Sequence, residues 1–424
     1  MDVSITDISD VEKEVKVHAT AEELVPHFEK AYRQQLPKIE LRGFRKGKAP
    51  LEMVKKLYGE AIEYDSLDGV ANDMYREVIR TRDIHPIGDP VLTDINYQRG
   101  QALTFTIKYQ VKPHIELREY KGLALEKIIH RVSDEEVENE ILRLRRANAT
   151  LSPAESAADD EHIVTADIQQ LDASGNPLIG RKTEDTRLYL ADEGVYEEIR
   201  QALRSAGPGS TPRATITVRE NEKEVTNFLE IHVKKVEKVN LPALDEEFVK
   251  KITKGKVTTI EEFRKNLRAD ITGYWQERSE RKLVDQLITE IVRRHEFNVP
   301  GSIVDTVLDS LVEELRNRSP QKKLPEDFDE KEFREKNRGY GIFQSRWYLL
   351  RESIIEAEKI AVDDADIART AERDSPAMGI DKDRLLTFYQ SSQPVKDRIL
   401  SEKLMTWLKE KCRITENVTD EFFE

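Results

Sequence analysis

A single cysteine, Cys412, occurs in 424 residues. One thiol forms no internal disulfide and no thiolate metal cluster, which fits a reducing compartment. The eight histidines are scattered, without the HExxH spacing that sets two imidazoles on one helix face. No glycine-rich phosphate loop follows a strand, and no nucleophile elbow occurs. Metal and nucleotide enzymology therefore have little support, and no metal or cofactor is expected. No run approaches the ~20 apolar residues of a membrane helix. The opening MDVSITDISDVEKEV has neither a basic start nor an apolar stretch, so no secretory leader is expected. Hydrophobic residues make up only 38% of the chain against 35% charged, with a net charge of −14. Such a chain is strongly hydrated. Its acidic excess argues against general nucleic-acid binding, so contact with RNA requires a local basic patch. The length exceeds what one core serves and predicts two to four domains.

One basic patch is present: Gly43, Phe44, Arg45, Lys46, Gly47, Lys48, Ala49, Pro50. Two glycines bracket an aromatic and two cations, a third cation follows, and a proline closes the run. Glycine frees the backbone for tight turns, and proline suits the start of a helix. The stretch predicts a loop tip that presents a ring and positive charge to a phosphate-rich or acidic surface.

Around that loop the elements read in sequence. Val11, Val15 and Val17 alternate as one face of a strand. Thr20 with Glu23 is a capping box opening a helix with Leu24, Phe28, Ala31 and Tyr32. Pro50 opens a second helix with Leu51, Val54 and Leu57; Tyr58-Gly59 breaks it, and a third helix runs to about Arg82. Val91–Tyr97 and Ala102–Val111 predict a hairpin across Gln98–Gln101. Residues 1–112 thus form an α+β domain. Leu123–Ile129 reads as a strand, and Ser133 with Glu136 caps a helix carrying Val137, Ile141 and Leu144. LSPAESAADDE (151–161) reads as a linker. Strands at Ile163–Leu171, Thr186–Leu190, Ala214–Val218 and Val225–Val236, the last two joined across Glu220-Asn221-Glu222, flank one short helix at Tyr196–Leu203. They predict a small antiparallel-sheet domain. From Leu241 the chain reads as helix. Thr259 with Glu262 is a third capping box, Pro300 interrupts, and Ile303, Val304, Val307, Leu308, Leu311 and Leu315 stripe the next helix. Ser319–Asn337 reads as loop or weak helix. The acidic tail ENVTDEFFE reads as mobile.

Four stretches carry a resemblance to bacterial trigger factor, a family of ribosome-associated chaperones: GFRKGKAP, YGEAIEYDSLDGVANDMYREVI, LPALDEEFVKKI and FNVPGSIVDTVLDSLVEELRN. Domain order and length agree, so the resemblance spans essentially the whole chain. It implies a multidomain α+β fold: a ribosome-binding domain at 1–112, a linker strand and arm helix at 113–154, an FKBP-like prolyl isomerase domain at 155–239, and an all-α chaperone domain with arms at 240–424. It implies docking on the large ribosomal subunit near the tunnel exit, on protein and adjacent rRNA, through Gly43, Phe44, Arg45, Lys46, Gly47 and Lys48. Arg42, Lys48, Lys55 and Lys56 would add field strength. Unfolded nascent polypeptides are the implied clients, held without ATP by many weak contacts. A cytoplasmic, partly ribosome-associated protein without membrane contact is implied, together with a tendency to form a homodimer off the ribosome.

The middle domain departs from the family. The aromatic expected directly after the Asp of its first strand is Ile168, and the stretch leading into the short helix reads ADEGVYEEIRQAL. Tyr189, Tyr196 and Phe228 are its only aromatics. A prolyl isomerase pocket desolvates and twists the X–Pro bond with apolar, aromatic walls. With Ile168, Tyr189, Tyr196 and Phe228 as its candidate lining, weak or absent isomerase activity is expected. Two alternatives stand beside the chaperone: an active prolyl isomerase working mainly as a folding enzyme, and a periplasmic isomerase-chaperone. The missing leader and the basic loop count against the second.

Overall fold

The structure is a computed structural model that describes residues 1–220 and 223–423. Asn221 and Glu222 of the expected turn, and Glu424 of the tail, lie outside the described residues. The chain divides into two compact units, Met1–Lys127 with Lys282–Thr415, and Ile128–Arg281 with Glu416–Glu424.

In the first unit, β1 (Asp2–Asp7), β2 (Glu12–Ala19), β3 (Pro86–Tyr97) and β4 (Leu103–Val111) form an antiparallel sheet in the order β1-β2-β4-β3. Val15, Val17, Phe105 and Ile107 alternate onto one face and are buried there against α1 (Ala21–Gln35) and α2 (Leu51–Arg82). The Thr20 box is complete: its hydroxyl takes the Glu23 N–H and the Glu23 side chain takes the Thr20 N–H. Such a cap contributes about 1 kcal/mol.

The break expected at Tyr58-Gly59 is absent; α2 is one helix of 32 residues. Gly59 is buried where the hairpin's Arg99 crosses the helix, and a Cβ there would lie 2.6 Å from Arg99 Nη2. The helix runs straight through this glycine, and the Arg99 guanidinium fills the space a Cβ would take. Arg99 also faces the buried Glu63 at 3.5 Å. The Glu63 carboxylate accepts hydrogen bonds from the Tyr32 and Tyr97 phenols, and burial with that carboxylate pushes both phenols up.

The helical part of this unit comprises the end of α6 (Ile260–Arg294), α7 (Gly301–Arg318), α8 (Glu330–Glu358), α9 (Asp364–Met378), α10 (Lys382–Ser391) and α11 (Gln393–Glu410). Leu283, Leu287 and Ile291 pack with Leu350, Ile354, Leu404 and Leu408 in one core. α7 lies along α8, where Gly341 lets the helices approach: a Cβ there would sit 3.2 Å from Val304 and 3.3 Å from Leu308. Ser319–Asn337 is split, with α8 already running from Glu330.

In the second unit, β6 (Thr150–Pro153), β7 (His162–Leu171), β8 (Pro177–Tyr189), β9 (Arg213–Glu220) and β10 (Lys223–Asn240) form an antiparallel sheet in the order β6-β10-β7-β8, with β9 also on β10. The segment expected as a linker therefore starts as a strand, Thr150 to Pro153 pairing with Asn240 to Glu237. The β7–β8 register slips by one residue after Ala166 and by three after Gln169, and β8 begins at Pro177, earlier than the apolar pattern marks. Below this sheet Ile199 and Leu203 of α4 (Glu197–Leu203) close a core with Val164, Ala166, Ile231 and Val233. A second core joins α3 (Asp134–Ala147), α5 (Glu246–Ile252) and the start of α6 through Val137, Ile141, Val249, Phe263 and Trp275. The Ser133 box is complete. At Thr259 only half a box forms, Glu262 N–H to the Thr259 hydroxyl at 3.3 Å.

The tail is ordered, against expectation. β11 (Arg413–Thr419) pairs with β5 (Ala124–His130), so the last strand supplies backbone partners that its acidic side chains do not advertise.

Candidate functional site

The basic loop is two consecutive tight turns. Phe44 N–H donates to Leu41 C=O at 3.0 Å, and Lys48 N–H donates to Arg45 C=O at 2.9 Å. Each turn places a glycine third, Gly43 at φ +91° and Gly47 at φ +73°, where an L side chain is strained. Gly47 N–H donates to Ile39 C=O at 3.1 Å and closes the neck. Leu41 and Ala49 are buried in the core on either side. The loop is thus fixed at its base while its tip faces solvent. Arg42, Gly43, Phe44, Arg45, Lys46 and Lys48 are exposed, Phe44 by 39%.

The electrostatics follow from what the cations do not touch. Among the described residues, Arg42, Arg45, Lys46 and Lys48 form no ion pair, although the chain carries −14 overall. Among the described residues no side chain caps α2, which starts directly after the loop, so its first N–H dipoles add to the positive end. Lys55 differs: its ammonium is held between Glu29 and Glu52, and the Glu29 hydrogen bond raises its pKa. Lys56 is exposed and, among the described residues, unpaired.

Periodicity missed a neighbouring feature. Leu57, read as a helix contact, is 59% exposed, with Met53 at 41% and Tyr64 at 46% on the same helix. α2 is apolar on more than one side, so spacing alone could not separate its core face from this row.

Three of the four candidate pocket residues, Ile168, Tyr189 and Phe228, do not converge. Ile168 pairs with Ile231 and turns into the core. Phe228 pairs with Leu171 of β7 and Thr215 of β9. Leu229 beside it on β10, and Ala214 and Ile216 on either side of its partner Thr215, face the core, so alternation places Phe228 on the other face. Tyr189 shares that outer face, but its partner is Ile163. Eight strand residues then separate its level from that of Phe228, ~26 Å. Its hydroxyl donates to Glu161, and the Arg146 guanidinium lies 5.5 Å from its ring while pairing with Glu161 at 2.8 Å. Tyr196 precedes α4 and is 48% exposed. Beside Ile168, the Asp167 carboxylate takes Lys234 at 2.6 Å, Lys182 at 3.2 Å and the Asp185 N–H at 3.0 Å. The Lys234 ammonium above all holds this carboxyl well below the usual range. A carboxylate so tied is a structural clamp.

Two family models match the chain: bacterial trigger factor protein over residues 1–144, and the trigger factor C-terminus over residues 259–410. The trigger factor of Salinibacter ruber (strain DSM 13855 / M31) is 33% identical over 444 residues, covering 100% of this chain and 96% of its own. The chain belongs to the trigger factor family. A second trigger factor, from Chloroherpeton thalassium (strain ATCC 35110 / GB-78), is 29% identical over 98% of this chain and 97% of its own. A solved trigger factor chaperone, described for promiscuous substrate recognition in folding and assembly, aligns over 97% of this chain and 100% of its own, at 19% identity and a TM-score of 0.49. The multidomain α+β class expected from the trigger factor resemblance is borne out, including the helical C-terminal region. No described helix is long and apolar enough to cross a membrane.

Proposed function

We propose that this trigger factor docks beside the ribosomal exit tunnel through the loop at 43–48 and shields nascent polypeptides without ATP, in the cytoplasm. The observation that carries the reading is a set of cations unpaired among the described residues, Arg42, Arg45, Lys46 and Lys48, around an exposed Phe44 on a loop anchored by Leu41 and Ala49. Guanidinium and ammonium groups meet carboxylates or phosphates, while the ring buries apolar area. In this reading residues 1–112 bind the ribosome and 240–424 hold clients. Ile303, Val307, Leu311 and Leu315 form a half-buried row along α7, and Tyr340 and Tyr348 of α8 are about half exposed. Many such partial surfaces give weak, rapidly reversed contacts suited to a client that folds after release.

The deciding experiment is co-sedimentation with ribosomes. The F44A/R45A/K46A chain should lose most of its binding, and unchanged binding refutes the docking assignment. Binding should also weaken as salt rises, because exposed charge is screened. For the middle domain we propose the fold without efficient isomerase catalysis. The separation of Ile168, Tyr189 and Phe228 supports this.

A further inference from the structure

Phe422 and Phe423 lie on an aromatic shelf within the second unit. Phe422 stacks on Trp275 with centroids 5.5 Å apart and planes at 15°, and on His130 at 5.4 Å and 27°. Phe423 meets the Trp275 ring at 5.1 Å. The shelf itself is built into the core. Trp275 is 9% exposed and His130 5%. His130 Nε2 lies 3.0 Å from the Glu136 carboxylate, and its Nδ1 lies 3.2 Å from the Glu421 carbonyl oxygen. Tyr274 stands edge-on to Trp275 at 5.3 Å.

The rim is basic and the occupant acidic. Arg278 lies 5.8 Å from the Trp275 ring, its Nη1 donates to the Tyr274 hydroxyl at 3.0 Å, and its Nε is buried without a hydrogen-bond partner among the described residues. Arg131 faces Asp420 at 3.6 Å. The segment that lies there reads Asp420-Glu421-Phe422-Phe423.

The outer side of the occupant is held lightly, while Phe423 is half-buried against the core. Arg131 N–H to Thr419 C=O at 2.9 Å ties the chain just before this segment. Beyond it, Phe422 remains 70% exposed although stacked. The side chains of Arg131 and Asp420 are 70% and 72% exposed, so water screens their attraction. β11 meanwhile tethers the segment at high effective concentration over the shelf.

We propose that Asp420–Phe423 is a displaceable internal occupant of a binding shelf for unfolded polypeptide segments in which aromatic side chains stand beside acidic ones. His130, Tyr274 and Trp275 supply the rings, and Arg131 and Arg278 supply the charge. The proposal rests on the chaperone reading above. The tail covers the shelf when no client is present, and a client segment of the same chemistry replaces it. A tail docked nine-tenths of the time lowers the apparent affinity for such a segment about tenfold.

The test uses the full chain with Trp347→Phe and Trp407→Phe, which leaves Trp275 as the single tryptophan. In this background F422A/F423A should raise acrylamide quenching of Trp275 several-fold. R131E, which keeps both rings but repels Asp420, should move quenching the same way. A labelled TDEFFE peptide should bind the F422A/F423A chain about tenfold tighter than the chain with its tail intact, and a TDEAAE peptide should not. Adding Trp275→Leu to F422A/F423A should remove the gain. Quenching that does not respond to loss of the rings, or equal peptide affinity in every variant, overturns the proposal. Labelled unfolded α-lactalbumin, reduced and carboxymethylated, separates the two readings. If it binds tail-intact and F422A/F423A chains equally, the chaperone reading stands and the shelf falls as a client site. If it binds neither, the chaperone reading fails and the client role of the shelf fails with it, while the quenching result still decides whether the tail covers Trp275.

Discussion

Gly47 rests directly on Pro37: a Cβ at Gly47 would fall 3.0 Å from the Pro37 Cα and 3.2 Å from its carbonyl oxygen. Both contacts are backbone, so neither can swing aside. Gly47 also has φ +73°, where an L side chain costs about 1–2 kcal/mol. Gly43 has φ +91° but open space around it. Gly47→Ala should therefore deform the loop and Gly43→Ala only strain it. Hydrogen exchange at the Gly47 and Lys48 amides should speed up strongly in the first variant and slightly in the second. Ribosome pelleting should fall in the same order. Equal effects would show that the Pro37 contact does not shape the tip.

The cations near the loop are not equivalent. Lys46 has no ion-pair partner among the described residues, whereas Lys55 lies between Glu29 and Glu52. Lys46→Ala should weaken ribosome binding and make it less salt-dependent, by roughly one unit of log–log slope if its contact is a phosphate. Lys55→Ala should leave both within error. A titration of pelleting against salt for the two variants checks this, and a loss with Lys55→Ala comparable to Lys46→Ala contradicts it.

How far the sequence carried these conclusions depends on the residue. The loop was legible because both its glycines sit where a turn demands positive φ, and because charge on an acidic chain stands out. The capping boxes at Thr20 and Ser133 were legible because both halves are local. Gly59 was not, because the side chain that fills the space beside it, Arg99, lies 40 residues away along the chain. β6 and β11 escaped for the same reason. Their backbone partners lie in β10 and β5, and short polar strands carry no apolar alternation to announce them. The scattering of Ile168, Tyr189 and Phe228 was likewise invisible, since composition counts aromatics but register decides which face they take.

That register yields a catalytic prediction. An isomerase pocket must close around one X–Pro bond, yet Ile168 turns inward, Phe228 lies on the outer face, and Glu161 and Arg146 engage Tyr189. Relaxation of a short prolyl peptide should stay within about twofold of its uncatalysed phase, which takes tens of seconds. Ile168→Phe alone should not restore turnover, because the other rings remain apart. A protease-coupled peptide assay on the full chain measures both, and an FKBP-like efficiency in the unmodified chain would refute the prediction.

Asp374 gives the helical region a pH dependence whose sign is set by geometry. It lies on α9 and accepts from Arg398 of α11 at 2.8 Å and from the Tyr389 hydroxyl of α10 at 3.0 Å, while Arg373 Nε approaches at 2.9 Å. One carboxylate therefore links three helices. Arg398 first, with Arg373 and Tyr389, pulls its pKa from 3.8 to about 2. A carboxyl whose pKa is lower folded than unfolded contributes stability above its ordinary value and loses it as pH falls through the folded one. Asp374→Asn should weaken the α9–α11 packing at neutral pH by about 1.5–3 kcal/mol, the range for hydrogen bonds to a charged group. The difference should narrow below the ordinary value of 3.8 and close only as pH falls below about 2. Hydrogen exchange across residues 364–410 of the two chains, followed from neutral pH into acid, reads this directly. A gap that stays constant with pH would mean that the amide clashes sterically and that the carboxylate charge contributes nothing to holding these helices.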